Sequence, residues 1–123
     1  MIELKEVTTK KGLKTFVKFP FKLYKGSKYW VPPIISEEVR ALSKDVNPAF
    51  KDADARFFLA YKNNDIVGRI ACIINWIEVN QQNQKKMRFG WFDVIDDVDV
   101  TKALLEKVTE IGKANNLEFV EGP

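Results

Sequence analysis

Histidine is absent from this sequence of 123 residues, and cysteine occurs only once. These absences exclude a disulfide within the chain, a zinc site built from cysteine and histidine, and a histidine-activated serine or cysteine nucleophile. A general base would have to be a carboxylate, a tyrosine, a lysine or a chain of water molecules. The single thiol, Cys72, lies in an apolar run that predicts a strand. We therefore expect it to be a small buried hydrophobic residue rather than a reactive thiolate.

Long apolar runs are also absent. The most apolar run, at residues 70–74, is far shorter than the roughly 20 residues that a membrane-spanning helix needs. The first six residues alternate in charge and lack the apolar stretch of a secretory leader. We therefore expect a cytoplasmic protein without a membrane partner, and from its length one domain with a single core.

Charge is distributed unevenly, although the net charge is only +3. Residues 1–34 contain eight lysines and only two acidic residues, Glu3 and Glu6. Residues 93–99 contain four aspartates and no basic residue. The first region would attract an anion and the second would repel one.

The first third of the chain predicts one strand and short helices. Alternation over residues 2–7 is typical of a strand. Thr8 or Thr9 can cap a helix, which we expect to break at Pro20 because proline lacks the N–H of a helical hydrogen bond. Ser36, followed by two glutamates, is expected to cap a further short helix.

The rest of the chain carries the clearest pattern. Strands at 56–61 and 66–74, joined by turn residues, predict an antiparallel hairpin. A third strand follows at 87–95, then a helix capped by one of two adjacent aspartates, then a last strand at 117–120. The helical crossover predicts that the last two strands are parallel neighbours. The predicted fold is therefore a mixed-sheet α/β (α+β) domain of order β-α-α-β-β-β-α-β.

This order resembles the first half of the GNAT superfamily of acyl-CoA N-acyltransferases. The segment AYKNNDIVGRI, at 60–70, is similar to the second and third strands of that family and their connecting turn. Four motifs resemble a group of poorly characterised bacterial GNAT-like proteins: FPFKLY at 19–24, YWVPP at 29–33, NPAF at 47–50 and RFGWF at 88–92. The resemblance implies an acyl-CoA N-acyltransferase-like fold in one partial domain, residues 1–123, with the C-terminal part of the domain absent.

The resemblance also implies a cofactor, acetyl-CoA or another acyl-CoA, and an amine that accepts the acyl group. The family binds the CoA pyrophosphate with a loop of the form Arg/Gln-x-x-Gly-x-Gly/Ala, whose glycines let N–H groups approach the phosphates. Residues 95–101 stand at that place and read IDDVDVT, with no glycine and three aspartates. We expect the loop to be non-standard or lost, because the aspartates oppose a pyrophosphate and suit a helix cap. Their spacing fits no calcium loop, and we expect no metal.

Candidate ligand contacts follow from the same resemblance. The acyl carrier is expected to meet the main chain at the end of the third meander strand, at Asp93, Val94 and Ile95. Asp93 is also a candidate base. The acceptor cleft borders the first two helices, so the expected substrate contacts are Tyr24, Tyr29 and Trp30. The sequence assigns no catalytic residue.

Three strand arginines, Arg56, Arg69 and Arg88, would either face an anion in the cleft or pair with the acidic segment, and both alternatives stay open. Two other functions also stay open. One is a catalytically silent GNAT-like binding module. The other is anion or nucleic-acid binding through the lysines and aromatic residues of 10–30, although the spacing of those aromatic residues is typical of a core. We expect the chain to self-associate or to lack a C-terminal half that covers its sheet.

Overall fold

One five-stranded sheet organises the chain, and the computed structural model describes all residues from 1 to 123. The strands are β1 (Ile2–Val7), β2 (Ala53–Lys62), β3 (Asp65–Asn75), β4 (Lys86–Val94) and β5 (Phe119–Glu121). The helices are α1 (Lys10–Leu23), α2 (Ile35–Ala41), α3 (Trp76–Asn80) and α4 (Val98–Ala114), and a 3₁₀ turn spans Pro48–Lys51. The predicted α/β class and order are confirmed, with α3 as a short additional helix. None of the helices is both long and apolar enough to cross a membrane.

The strands lie in chain order across the sheet, β1-β2-β3-β4-β5. The pairs β1–β2, β2–β3 and β3–β4 are antiparallel. The pair β4–β5 is parallel, because α4 crosses over between these two strands. The predicted hairpin closes through Asn63 and Asn64, with φ angles of 51° and 69°. Positive φ at both positions is what a two-residue hairpin loop of the right twist requires, and asparagine tolerates it.

The two faces of the sheet bury two separate cores. Alternate strand residues such as Phe58 and Ile70 pack with Leu104 of α4 in a core of 11 buried residues. The opposite face carries Phe57 and packs against α1 and α2 in a core of nine buried residues. The predicted burial of Cys72 is confirmed at 1% exposure. Desolvation raises the pKa of its thiol to about 12.

Side chains cap three of the four α-helices, with Asn75 accepting the N–H of Ile77 at the start of α3. Thr9 accepts the N–H of Gly12 at 3.0 Å, so the predicted start of α1 is confirmed. Asp97 caps α4 in the same way. The prediction for α2 is wrong, because Ser36 lies in the first turn and the capping position is Ile34, whose side chain makes no hydrogen bond.

The expected break of α1 at Pro20 does not occur. The helix continues to Leu23, and Pro20 lies buried within it. Proline removes the donor that the carbonyl of Phe16 would receive in a regular helix. Arg69 of β3 replaces that donor, with its Nη1 at 3.0 Å from the Phe16 oxygen. The helix therefore survives because a distant strand satisfies its open carbonyl.

A bulge in β4 re-aims the end of that strand. The register gains one residue on β4 between the pairs Ala71–Gly90 and Arg69–Asp93. Trp91, within the bulge, has a φ of 45°, which side-chain-bearing residues seldom adopt. The bulge therefore determines on which face of the sheet the side chains of Asp93 and the residues after it lie.

Candidate functional site

Asp93 is the centre of a side-chain cluster drawn from three elements. The hydroxyl of Tyr24, at the C-terminus of α1, donates to Asp93 Oδ1 at 2.6 Å. Arg69 Nε donates to Asp93 Oδ2 at 2.9 Å, and Arg69 Nη2 lies 2.8 Å from the same oxygen. Because both carboxylate oxygens have partners, the side chain of Asp93 is held in one orientation.

The electrostatics of the cluster favour a neutral tyrosine. The hydrogen bond from Tyr24 to Asp93, with burial and the nearby negative charge, raises the pKa of Tyr24 to about 12. Burial lowers the pKa of Arg69, and the charge of Asp93 opposes that change. Arginine nevertheless stays protonated at neutral pH. Tyr24 is therefore a hydrogen-bond donor in this cluster and a poor base.

An aromatic wall stands beside the cluster. The ring of Trp30 lies on that of Tyr24, with centroids 5.5 Å apart, and the edge of Phe21 meets Trp30 at 5.0 Å. Two of the three predicted substrate contacts, Tyr24 and Trp30, are thus brought together. Tyr29 is not, because its side chain is 85% exposed and its ring contacts only the cation of Lys28 among charged groups.

At the end of β4 a main-chain N–H is directed away from β3. Ile95 donates its N–H to the carbonyl of Val67 at 3.0 Å, which makes these two a hydrogen-bonded antiparallel pair. Hydrogen-bonded and non-hydrogen-bonded pairs alternate along an antiparallel ladder. The next pair, Val94 and Gly68, is therefore non-hydrogen-bonded, and the N–H and C=O of Val94 point away from β3. On the opposite edge of β4, the neighbouring strand β5 pairs only with residues 86–88 and does not reach Val94. Of the three predicted main-chain contacts, Val94 is therefore the one whose N–H is directed away from β3.

The N-terminus of α4 is occupied by its own cap. Asp97 accepts the N–H of Asp99 at 2.9 Å, and Lys62 Nζ donates to its other oxygen at 3.1 Å. The bond from Lys62, followed by that from the Asp99 N–H, lowers the pKa of Asp97. The carboxylate stands where a phosphate would meet the helical N–H groups. The prediction that these aspartates serve as a cap is confirmed for Asp97.

Only one of the strand arginines pairs with the acidic segment, through the Asp93 contact described above. Arg56 donates through Nε to Glu6 at 2.9 Å, and Arg88 donates through Nε to Glu78 at 2.8 Å. All three guanidinium groups are paired with carboxylates of the chain.

Two contacts of the site were not anticipated from the sequence. Arg69 donates to the main-chain oxygen of Phe16 in α1, and Trp91 donates its indole N–H to Glu38 at 2.7 Å, which ties the β4 bulge to α2. A signal for the first was present, since a proline inside an amphipathic helix implies an open carbonyl that another donor must satisfy. No short-range pattern in the sequence predicts the contact between Trp91 and Glu38.

The sequence is related to one curated protein over nearly all of its length. No protein-family model matches the chain. It is 32% identical over 114 residues to protein YghO of Escherichia coli strain K12, which covers 93% of this chain and 29% of YghO. The chain therefore spans less than a third of that relative's length.

Solved structures resemble the chain over almost all of it. An aminoglycoside acetyltransferase from an uncultured soil metagenomic sample, in complex with sisomicin, matches 99% of this chain and 76% of its own, with a TM-score of 0.67 and 14% identity. A GNAT-family acetyltransferase of Staphylococcus aureus Mu50 matches 99% of this chain and 72% of its own, with a TM-score of 0.67 and 17% identity.

A predicted acetyltransferase of Clostridium acetobutylicum with acetyl-CoA matches 100% of this chain and 80% of its own, with a TM-score of 0.65 and 14% identity. At such identities a structural match concerns architecture rather than chemistry. The chain therefore has the fold of the GNAT-family acetyltransferases.

Proposed function

We propose that this chain is part of an N-acyltransferase that moves an acyl group from an acyl-CoA to an amine. The observation that carries the proposal is the convergence, at the end of β4, of the Val94 N–H, the Asp93 cluster and the aromatic wall of Tyr24 and Trp30. Support also comes from fold neighbours, one with acetyl-CoA and one with sisomicin.

The donor side of this site would use the main chain of β4. When bound, an acyl-CoA supplies the acyl group as a thioester. An N–H at Val94, directed away from β3, is suited to the carbonyl oxygen, where a fixed donor stabilises the negative charge that develops during acyl transfer. Since Asp93 and Ile95 direct their N–H groups towards β3, Val94 is the proposed contact and its two neighbours hold it in place.

The acceptor side would use the aromatic wall. An amine that is still protonated on arrival is attracted to the faces of Tyr24 and Trp30 and to the carboxylate of Asp93. Asp93 keeps one unused acceptor position, because a carboxylate accepts about four hydrogen bonds and Tyr24 and Arg69 supply three. It can therefore take a proton from the amine through a water molecule while Arg69 and Tyr24 hold its orientation. Tyr29, exposed at the edge, is the proposed outer contact.

The N-terminus of α4 does not fit the pyrophosphate of CoA. A phosphate there would have to displace Asp97 from its bonds to Lys62 and to the N–H of Asp99. Asp96 and Asp99 add further negative charge, and like charges about 4 Å apart repel each other by several kcal/mol at intermediate dielectric. We therefore infer a donor held through its thioester and pantetheine portion rather than through its phosphates.

The second candidate is a catalytically silent GNAT-like binding module. The occupied N-terminus of α4 favours it, because a family that keeps the fold and loses phosphate binding need not keep transfer. Binding without acyl transfer to any amine distinguishes it from the enzyme.

A titration of the isotopically labelled chain tests the proposal. Acetyl-CoA and S-acetylpantetheine are added separately, and the amide signals are followed by NMR. We expect both to shift the signal of Val94 with affinities within about threefold of each other. No shift with either ligand up to about 1 mM contradicts acyl-thioester binding. A much tighter acetyl-CoA complex, with shifts at the start of α4, contradicts the proposed donor mode alone. A panel of amines then tests transfer.

A further inference from the structure

A groove runs between α1 and α2 on their solvent-exposed side. Its volume is about 780 Å³, and it shares no lining residue with the Asp93 cluster. Its basic lining residues come from both helices: Lys10, Lys14, Lys18 and Arg40. It is therefore a separate concave surface, and the proposed acyl transfer gives it no role.

The cations of the groove have no partners in the chain. None of the four forms an ion pair, and no carboxylate lines the groove. Lys10, Lys14 and Lys18 are each four residues apart, so they form one row along α1 about 12 Å long. Unpaired like charges in a row repel one another, and an anionic partner relieves that repulsion.

The floor of the groove is aliphatic. Ile35, Val39 and Val46 line it, and Val46 is 53% exposed. No aromatic residue is present among the lining residues, so the groove has no platform on which a nucleic-acid base could stack. The aromatic residues of α1 that lie closest in sequence, Phe16 and Phe19, are buried. These features favour a ligand with an aliphatic side over a nucleic acid.

We propose that this groove docks an acidic amphipathic helix of a partner protein. Carboxylates spaced four residues apart on such a helix repeat at the pitch of the lysine row, since both helices rise by about 6 Å per four residues. Its aliphatic stripe lies against Ile35, Val39 and Val46, as in other helix-in-groove complexes. Charge complementarity guides the approach and orientation of the partner helix, and the aliphatic contact determines how deeply that helix lies in the groove.

Fluorescence anisotropy of the 123-residue chain with a labelled synthetic peptide tests the proposal. The probe is a helix of about 18 residues with glutamates at positions i, i+4 and i+8 and leucines on the adjoining face. We expect saturable binding that weakens steeply as salt is added. Two control probes are a peptide with the same composition in scrambled order and a single-stranded oligonucleotide, and both are expected to bind more weakly.

Matched charge reversals locate the binding surface. The triple variant Lys10→Glu, Lys14→Glu, Lys18→Glu is expected to lose about tenfold or more in affinity. The control triple variant changes the net charge equally at exposed positions outside the groove: Lys25→Glu, Lys102→Glu and Lys113→Glu. We expect the control to stay within about threefold of the parent chain, since long-range charge alone is screened by salt. Circular dichroism checks that both variants fold.

A further variant, Val46→Asn, tests the aliphatic floor without changing the charge of the groove, and we expect it to weaken peptide binding by about fivefold. Three outcomes overturn the proposal: equal loss in the two triple variants, equal binding of the scrambled peptide, or no binding of the helical peptide up to about 1 mM. Tighter binding of the oligonucleotide, lost in the Lys10, Lys14 and Lys18 variant, would assign the groove to nucleic acid instead.

Discussion

Arg69 donates a hydrogen bond of 3.0 Å to the main-chain oxygen of Phe16, the carbonyl that a proline four residues later leaves without its helical donor. The same guanidinium binds Asp93 on its other side, and it lies 5.0 Å from the ring of Phe16. One buried side chain therefore links α1, β3 and the end of β4. This link decides where Tyr24, at the end of α1, meets Asp93.

Replacement of Arg69 by methionine should destabilise the chain by about 2–4 kcal/mol, because it leaves Asp93 without its cationic partner and the Phe16 carbonyl without a donor. Urea unfolding, monitored by circular dichroism, measures the loss. A cost below about 1 kcal/mol would show that the cluster contributes little to stability.

The Pro20→Ala background separates the two roles of Arg69. Alanine restores an N–H that can reach the Phe16 carbonyl within the helix, so Arg69→Met should cost less there than in the parent chain by about 1 kcal/mol. An unchanged cost would mean that the bond to Phe16 is energetically silent and that the pairing with Asp93 carries the effect.

Tyr24→Phe should remove the phenol whose pKa is raised by its bond to Asp93. The chain has three tyrosines, and the pKa of Tyr24 is raised to about 12, so phenolate absorbance should include one step near that pH. Because the pKa is raised in the folded state, the associated stability is complete below pH 10, the ordinary value for tyrosine, and is lost as the pH rises towards 12.

The matching control is Tyr29→Phe, at a position that is 85% exposed. It should leave the late titration step in place and change the free energy of unfolding by less than about 0.5 kcal/mol. Tyr24→Phe should cost about 1 kcal/mol, since it deletes one hydrogen bond to a charged group. Persistence of the late step in Tyr24→Phe would assign it to another tyrosine.

Asp97→Gly should weaken the start of α4 and at the same time open it to phosphate. The carboxylate that bonds Lys62 and the N–H of Asp99 is then gone, so the chain should melt at a lower temperature. The affinity for acetyl-CoA should rise relative to that for S-acetylpantetheine, because the helical N–H groups become available. An unchanged ratio of affinities would show that Asp97 does not exclude the pyrophosphate.

The pH dependence of the parent chain gives a separate check on this residue. The pKa of Asp97 is lowered in the folded state, first by Lys62 and then by the N–H of Asp99. The associated stability is therefore present above the ordinary pKa of about 4 and is lost as the pH falls through the lower folded value. Asp97→Asn should show less of this acid destabilisation than the parent chain does.

Gly68→Ala should disturb the main chain that positions Val94. An added Cβ would stand 2.9 Å from Leu104 and from Val100, which are packed side chains of α4. We expect a loss of about 1–3 kcal/mol in the free energy of unfolding, together with altered amide shifts in β4. Gly90→Ala is the matched control, because an added Cβ there meets nothing within 4 Å. Equal losses in the two variants would point to strand conformation rather than to packing.

The local features of this protein are encoded over a few residues, and the sequence by itself determined them. The hairpin follows from the asparagine turn between Lys62 and Asp65, and the caps at Thr9 and Asp97 follow from side chains that reach N–H groups two or three residues away. Burial of Cys72 follows from its apolar strand. These features depend mainly on near neighbours in the chain, which is why the predictions for them are confirmed, whereas the cap predicted at Ser36 is wrong.

The site depended on contacts that only the folded chain makes. Tyr24 and Asp93 are 69 residues apart, and the donor that carries α1 through Pro20 is 53 residues from its acceptor. The bulge at Trp91 decides which side chains of β4 reach that cluster. Tyr29 lies outside the site, although the nearby aromatic residues Tyr24 and Trp30 are part of it. Strand register and long-range hydrogen bonds decided these features, because a proline in the sequence marks an open carbonyl without saying what will satisfy it.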